Sequence, residues 1–84
     1  MISVILVNWN RRELLRAALE SLARQVDVDF EVIVVDNGSE DGSLEVIRAF
    51  DARFPLRLIR NADNRGFCAA NNQGIAVARG QFIA

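Results

Sequence analysis

The sequence predicts an α/β protein with a parallel sheet, its elements running β-α-β-α-β-α-β, and three observations carry that prediction. Val32, Ile33, Val34 and Val35 form an unbroken apolar run, too continuous for a strand with one wet face and suited to a central parallel strand covered on both sides. Segments of strand character alternate along the chain with segments of helical spacing. The stretches between consecutive strands have the length of right-handed parallel crossovers.

The first strand is read over Met1 to Val7, where Ile2, Val4, Ile5, Leu6 and Val7 are apolar. Asn10, three residues before Glu13, has the pattern of a capping box. Leu14, Leu15, Ala18, Leu19 and Leu22 then recur at helical spacing, which predicts a helix from about Glu13 to Arg24 with one apolar stripe. Phe30 to Val35 is the second strand. Asp41 or Ser43 is placed to cap a second helix, whose inner face holds Leu44, Ile47 and Phe50 and which ends near Asp51. Pro55 closes that connection, and Leu56 to Ile59 make a short third strand. A third helix is expected over Phe67 to Arg79 with Gly80 as its C-terminal cap. Gln81 to Ala84 have the character of an opening fourth strand. No turn or cap follows them, so residues 1–84 are expected to be the N-terminal part of one incomplete domain in a longer protein. Strand one would lie beside a fourth strand that is only begun. The chain should then expose an apolar sheet edge and tend to self-associate.

Composition narrows the function classes. With 84 residues, 51% hydrophobic and 25% charged, the chain is globular rather than disordered, but short for a doubly wound sheet. A net charge of −1, from arginines mixed evenly with acids and no lysine at all, gives no electrostatic case for nucleic acid as a partner. Histidine is absent, which removes the commonest general base and metal ligand. Cys68 is the only cysteine, so an internal disulfide is impossible. A reducing, cytoplasmic compartment is the simpler assumption. Cys68 itself is expected to be a small buried residue. No apolar run approaches the ~20 residues needed to span a bilayer.

Three polar clusters follow successive strands, and a parallel sheet brings all three to one edge, where open α/β sheets bind ligands. They are Asn8-Trp9-Asn10, Asp36-Asn37-Gly38-Ser39, and Asn61 to Gly66. Together they offer a flat aromatic, a carboxylate, several amides and a guanidinium, which is equipment for a nucleoside. Trp9 would stack on a base, Asp36 accept from a base N–H or ribose hydroxyl, and Arg65 face phosphate. Each also has a plainer reading. Trp9 can cover the junction of the first strand and helix; Asp36 and Ser39 can be turn formers; Asp41 suits a helix cap; Arg65 can be a surface charge. Asn71 and Asn72 fall in mid-helix, where Asn is a poor helix former, so one of them is expected to hydrogen-bond a loop. The turn after strand one has no glycine, which argues against a dinucleotide-binding unit, and a P-loop would need a lysine.

These segments resemble the family-two glycosyltransferases, inverting enzymes of the GT-A fold. The resemblance runs through Val4-Ile-Leu-Val-Asn-Trp-Asn10, Val32-Ile-Val-Val-Asp-Asn-Gly-Ser-Glu-Asp-Gly-Ser43, Asn64-Arg-Gly-Phe-Cys-Ala-Ala-Asn-Asn-Gln-Gly-Ile75 and Ala78-Arg-Gly-Gln-Phe-Ile83. The Asn-x-Gly-Phe variant looks most like rhamnosyltransferase-type members. The resemblance implies a Rossmann-like, GT-A half domain truncated in its fourth strand. It also implies a nucleotide-diphosphate sugar donor, a UDP- or dTDP-sugar, bound by Val7, Asn8, Trp9, Asn10, Asp36, Asn37, Ser39, Arg65 and Gly66. Asp36 would read the pyrimidine, and the loop of Arg65 and Gly66 would border the base and diphosphate. The acceptor would be a saccharide or a lipid-linked group.

The metal motif, Asp-x-Asp, and the catalytic base are expected beyond Ala84. This chain is therefore assigned neither catalytic nor metal-binding residues. Mg2+ or Mn2+ and membrane association are left to the full-length protein. The alternatives are a non-catalytic nucleotide-binding module or pseudoenzyme, and an unrelated nucleotide-binding α/β domain such as a divergent dehydrogenase half.

Overall fold

A computed structural model describes residues 1–25, 27–80 and 82–83, Phe82 by its backbone alone. The elements are β1 (Ile2–Asn8), α1 (Arg12–Ala23), β2 (Phe30–Asp36), α2 (Ser43–Phe50), β3 (Leu56–Arg60), α3 (Phe67–Val77) and β4 (Phe82–Ile83). The four strands form one parallel sheet in the order β3-β2-β1-β4. Gln81 and Ala84, which the sequence assigns to the fourth strand, lie outside the described residues.

Alternation along β2 explains the two-sided burial. Val32 and Val34 face α1 and α2, where they pack with Leu15, Leu19, Val46, Ile47 and Phe50. Ile33 and Val35 face the other way and pack with Ala70 of α3. All four side chains are fully buried, each contributing about 1.5–3 kcal/mol relative to exposure. Phe54, in the connection before β3, stacks near Phe30 and Phe50 with ring centroids 5.7 and 6.3 Å away, closing the far end of the first layer.

α3 reaches the sheet because Gly74 faces it. A Cβ there would lie 2.6 Å from Ile5 Cγ2, so any side chain would push helix and sheet apart. The helix ends at Val77, two residues before the expected Arg79, and Gly80 is not its cap. Ala78 is extended, and the next backbone groups find partners in the sheet instead: Arg79 N–H donates to Glu31 Oε2 at 2.6 Å and Gly80 N–H to Ser3 Oγ at 2.8 Å. Gly80 is required for a different reason, since a Cβ there would meet Ser3 Oγ, Ser3 N and Met1 O at 2.6–2.8 Å. Arg57 donates to the Val77 carbonyl at 3.0 Å and so covers one of the free carbonyls of the helix end.

The start of α1 also departs from the capping-box expectation. Arg11, not Asn10, occupies the N-cap position, and it makes no side-chain cap. Asn10 is left-handed at φ 48°, a conformation Asn tolerates, and its side chain is used elsewhere. Glu13 pairs with Arg12 and Arg16 rather than with backbone.

Candidate functional site at the carboxyl edge

Register decides which residues meet. Asn8 lies opposite Asp36, and Asp36 opposite Arg60, so the clusters after β1, β2 and β3 emerge side by side. The ladder continues one step past the strands, with Asn37 N–H donating to Asn8 O and Asn61 N–H to Asp36 O, each at 2.8 Å. Asn8, Asp36, Asn37 and Asn61 form a row of buried polar side chains at this edge. Polar groups so placed must find partners, and among the described residues none of the buried side-chain nitrogens or oxygens is left without one.

The row divides into two networks. In the first, Asp36 Oδ1 accepts from Asn8 Nδ2 at 2.9 Å and from the Ser39 hydroxyl at 2.7 Å, while Oδ2 accepts from Ser39 N–H at 3.0 Å. Ser39 Oγ in turn accepts from Asn8 Nδ2 at 3.1 Å and Asn10 N–H at 2.9 Å. Asn10 Oδ1 accepts from Glu40 N–H at 2.8 Å. Asp41 Oδ2 accepts from Arg12 N–H at 2.9 Å, and its Oδ1 accepts from the backbone and hydroxyl of Ser43. The Ser43 hydroxyl, and then the Arg12 and Ser43 backbone N–H groups, hold the Asp41 carboxyl below its ordinary value against the opposing effect of burial. Asp41 therefore caps α1 from across the loop as well as serving the first turn of α2.

The second network is built of amides. Asn37 Oδ1 accepts from Asn61 Nδ2 at 2.8 Å, and Asn37 Nδ2 donates to Asn64 Oδ1 at 3.3 Å and Gly66 O at 3.2 Å. Asn61 and Gln73 exchange two bonds, of 2.7 and 2.9 Å. Asn64 Oδ1 also accepts from Gly66 N–H at 2.8 Å, which shapes the loop into α3. This network locks the third loop to the second.

The expected site residues fall into distinct positions. Asn8, Asn10, Asp36 and Ser39 are joined in the first network, and Asn37 and Gly66 in the second. Trp9, between β1 and α1, is 49% exposed. Arg65 is also exposed and pairs with Asp63 at 3.5 Å. Val7 and Asn8 line a groove of about 320 Å³ with Leu6, Arg11, Leu14, Leu15 and Ala18. A second hollow, of about 270 Å³, lies beside Arg60, Asn61 and Ala62.

Two sequence expectations on α3 change, and one buried carboxylate in β2 joins the picture. Gln73, not Asn71 or Asn72, bonds the loop; its spacing from the buried Ala70 and next to the buried Gly74 marks it as an inner-face residue. Cys68 is exposed rather than buried, because Ala70 and Gly74 define the inward face and Cys68 falls outside it. Glu31 was masked by its apolar neighbours. It is a buried carboxylate at the opposite end of the sheet, where it accepts from Ser3 Oγ at 2.7 Å and from Arg79 N–H. The Ser3 hydroxyl, then the Arg79 amide, lowers its pKa, with Arg57 adding to the effect and burial opposing it.

The described residues contain no group of three or more His, Cys, Asp or Glu side chains that could hold a metal ion. No described helix is long and apolar enough to cross a membrane.

The frame and its carboxyl-edge loops define the N-terminal part of a GT-A glycosyltransferase fold. A family model described as "Glycosyl transferase family 2" matches residues 3–84, and the chain belongs to that family. Among curated relatives, an uncharacterized glycosyltransferase, YfnE, of Bacillus subtilis is 46% identical over 82 residues, 96% of this chain and 21% of the relative. The cholesterol galactosyltransferase of Borreliella burgdorferi is 32% identical over 98% of this chain and 23% of its own length. Among solved structures, S. aureus TarS 1-349 in complex with UDP-GlcNAc aligns over 98% of this chain and 24% of that one, at TM-score 0.91 and 30% identity. The mannosyltransferase PcManGT of Pyrobaculum calidifontis, in complex with GDP-Man and Mn2+, covers 98% of this chain at TM-score 0.89 and 27% identity, with 25% of that chain matched. The chain thus spans about a quarter of the length of these relatives.

Proposed function

We propose that this chain is the donor-nucleotide part of a glycosyltransferase that moves a sugar from a nucleotide-diphosphate sugar to an acceptor hydroxyl of a saccharide or lipid-linked group. The observation that carries the reading is the joining of Asn8, Asp36 and Ser39 into one network beneath an exposed Trp9, on a frame shared with nucleotide-sugar complexes. Trp9 supplies the stacking face for a base. Asp36 Oδ2 carries one protein donor, leaving it capacity for a base N–H or ribose hydroxyl. Arg65 and Gly66 border the diphosphate. The donor is a UDP- or dTDP-sugar, and the reaction takes place on the cytoplasmic side, where the single free cysteine is at home.

In this reading residues 1–84 are the N-terminal part of a single domain, and their contribution is binding and orientation rather than bond-making. A divalent cation and the base that deprotonates the acceptor are assigned, in the same reading, to other parts of the full-length protein. Calorimetric titration with UDP, dTDP and GDP tests the reading. Saturable binding of a pyrimidine diphosphate, weakened tenfold or more in Asp36→Ala and Trp9→Ala, is the expected result. Unchanged affinity in both variants refutes the assignment.

A further inference from the structure

The loops after β1 and β2 are zipped together by a series of hydrogen bonds that passes on both sides of Trp9. Before it lie Asn37 N–H to Asn8 O and Asn8 Nδ2 to Asp36 Oδ1; after it lie Asn10 N–H to Ser39 Oγ, Glu40 N–H to Asn10 Oδ1, and Arg12 N–H to Asp41 Oδ2. The Trp9 ring has no aromatic partner among the described residues and is half exposed, so the course of its backbone contributes to its pose. That backbone is held at its far end by the first residue of α1, whose N–H is one of the orphan donors of a helix start. The acceptor comes not from Arg11 or Asn10 but from Asp41, 29 residues away in the chain. Asp41 spends its second oxygen on Ser43, at the start of α2.

From this juxtaposition we propose that Asp41 is a positioning residue for Trp9. By joining the first turns of α1 and α2 through one carboxylate, it fixes the angle at which the Trp9 loop leaves β1, and through Trp9 it sets nucleotide affinity. The affinity part rests on the function proposed above; the clamp on Trp9 does not.

An ordinary helix cap would stabilise α2 and leave Trp9 untouched, so the two roles separate by experiment. Trp9 is the only tryptophan of the chain, and its fluorescence reports on this loop alone. Asp41→Asn keeps an oxygen for Ser43 but turns an amide N–H toward Arg12 N–H. Asp41→Ser keeps one hydroxyl for the first turn of α2 and cannot reach both helices. Ser43→Ala is the control, since it weakens the α2 side while leaving the Arg12 bond.

Time-resolved anisotropy and iodide quenching of Trp9 are to be measured at a temperature where each variant is folded, alongside UDP titration. Both Asp41 variants should show a more mobile, more quenchable Trp9 and roughly three- to tenfold weaker UDP binding, the size of effect one lost cap produces. Ser43→Ala should lower the melting temperature without changing either readout. Wild-type Trp9 anisotropy in folded Asp41 variants overturns the proposal, as does an equal change in Ser43→Ala. Failure of both Asp41 variants to fold would also overturn it, by making Asp41 a determinant of the fold itself. A loosened Trp9 in a chain whose wild type does not bind UDP upholds the clamp and refutes the nucleotide reading alone.

Discussion

Asp36 and Ser39 hold each other through two hydrogen bonds, one from the serine backbone N–H to Oδ2 at 3.0 Å and one from its hydroxyl to Oδ1 at 2.7 Å. The carboxylate that ends the central strand is thereby fixed by the turn it starts. Asn8 completes the arrangement by donating to both side chains. Asp36 is thus oriented by the protein itself, which under the proposed function would lower the ordering cost of binding.

Removing that carboxylate should cost stability as well as affinity. Asp36→Ala leaves Ser39 N–H without its acceptor at a buried edge, which carries a penalty of about 1–3 kcal/mol. Ser39→Ala retains the Asn8–Asp36 bond and should cost about 1 kcal/mol. Urea denaturation of the two variants checks the order, and a larger loss in Ser39→Ala would show that the hydroxyl, not the carboxylate, organises the loop.

Trp9 should behave in the opposite way. Trp9 is half exposed, so Trp9→Ala should cost well under the about 3–5 kcal/mol of truncating a fully buried tryptophan. Nucleotide affinity should nevertheless fall, because a stacking face is lost. Thermal melts paired with UDP titration separate the two effects, and a large stability loss would mean that the ring packs on the protein.

Glu31 predicts a pH dependence whose sign is set by its hydrogen bonds. Its folded pKa is lowered by Ser3 Oγ–H and Arg79 N–H, so the ionised form is favoured in the native state. The resulting stability is present above the unfolded glutamate value of about 4.3 and is lost as pH falls through the lower folded value. Glu31→Gln should therefore be less stable than wild type at neutral pH, with the gap closing under acid conditions. Parallel denaturation curves from pH 7 downward test this; a gap that widens toward low pH would contradict it.

Gly74 and Ile5 should be energetically coupled. A Cβ at position 74 meets Ile5 Cγ2 at 2.6 Å, and the β-branched Ile5 has little rotamer freedom to yield. Gly74→Ala is expected to cost about 1–3 kcal/mol by overpacking. Ile5→Ala should recover part of that loss, as a double-mutant cycle would measure. Additive effects would mean that α3 shifts freely on the sheet.

The architecture and the meeting of the three loops were legible in the chain, because they follow from periodicity. The apolar run Val32–Val35 requires cover on both faces, and helical crossovers between parallel strands carry every strand's end to one edge. Asn8, Asp36 and Asn61 could be placed together on that ground alone. Gln73 was also within reach, since its spacing from Ala70 puts it on the inward face of α3. The capping-box reading of Asn10 failed because a local pattern competes with partners it cannot display: Glu40 N–H, distant in sequence, claims the Asn10 side chain.

What the sequence determined by itself is therefore the alternation of elements, the buried central strand, the edge where polar loops converge and the family to which they belong. Only the tertiary structure decided how those loops are joined. It assigned Asp41 to two helices at once, turned Cys68 outward, ended α3 at Val77 and gave Glu31 its partners across the sheet. The physical reason is range. Burial follows a repeat of two or 3.6 residues and can be read from neighbours along the chain. The bonds from Arg12 to Asp41 and from Ser3 and Arg79 to Glu31 instead pair donors and acceptors whose proximity exists only after the strands have found their register.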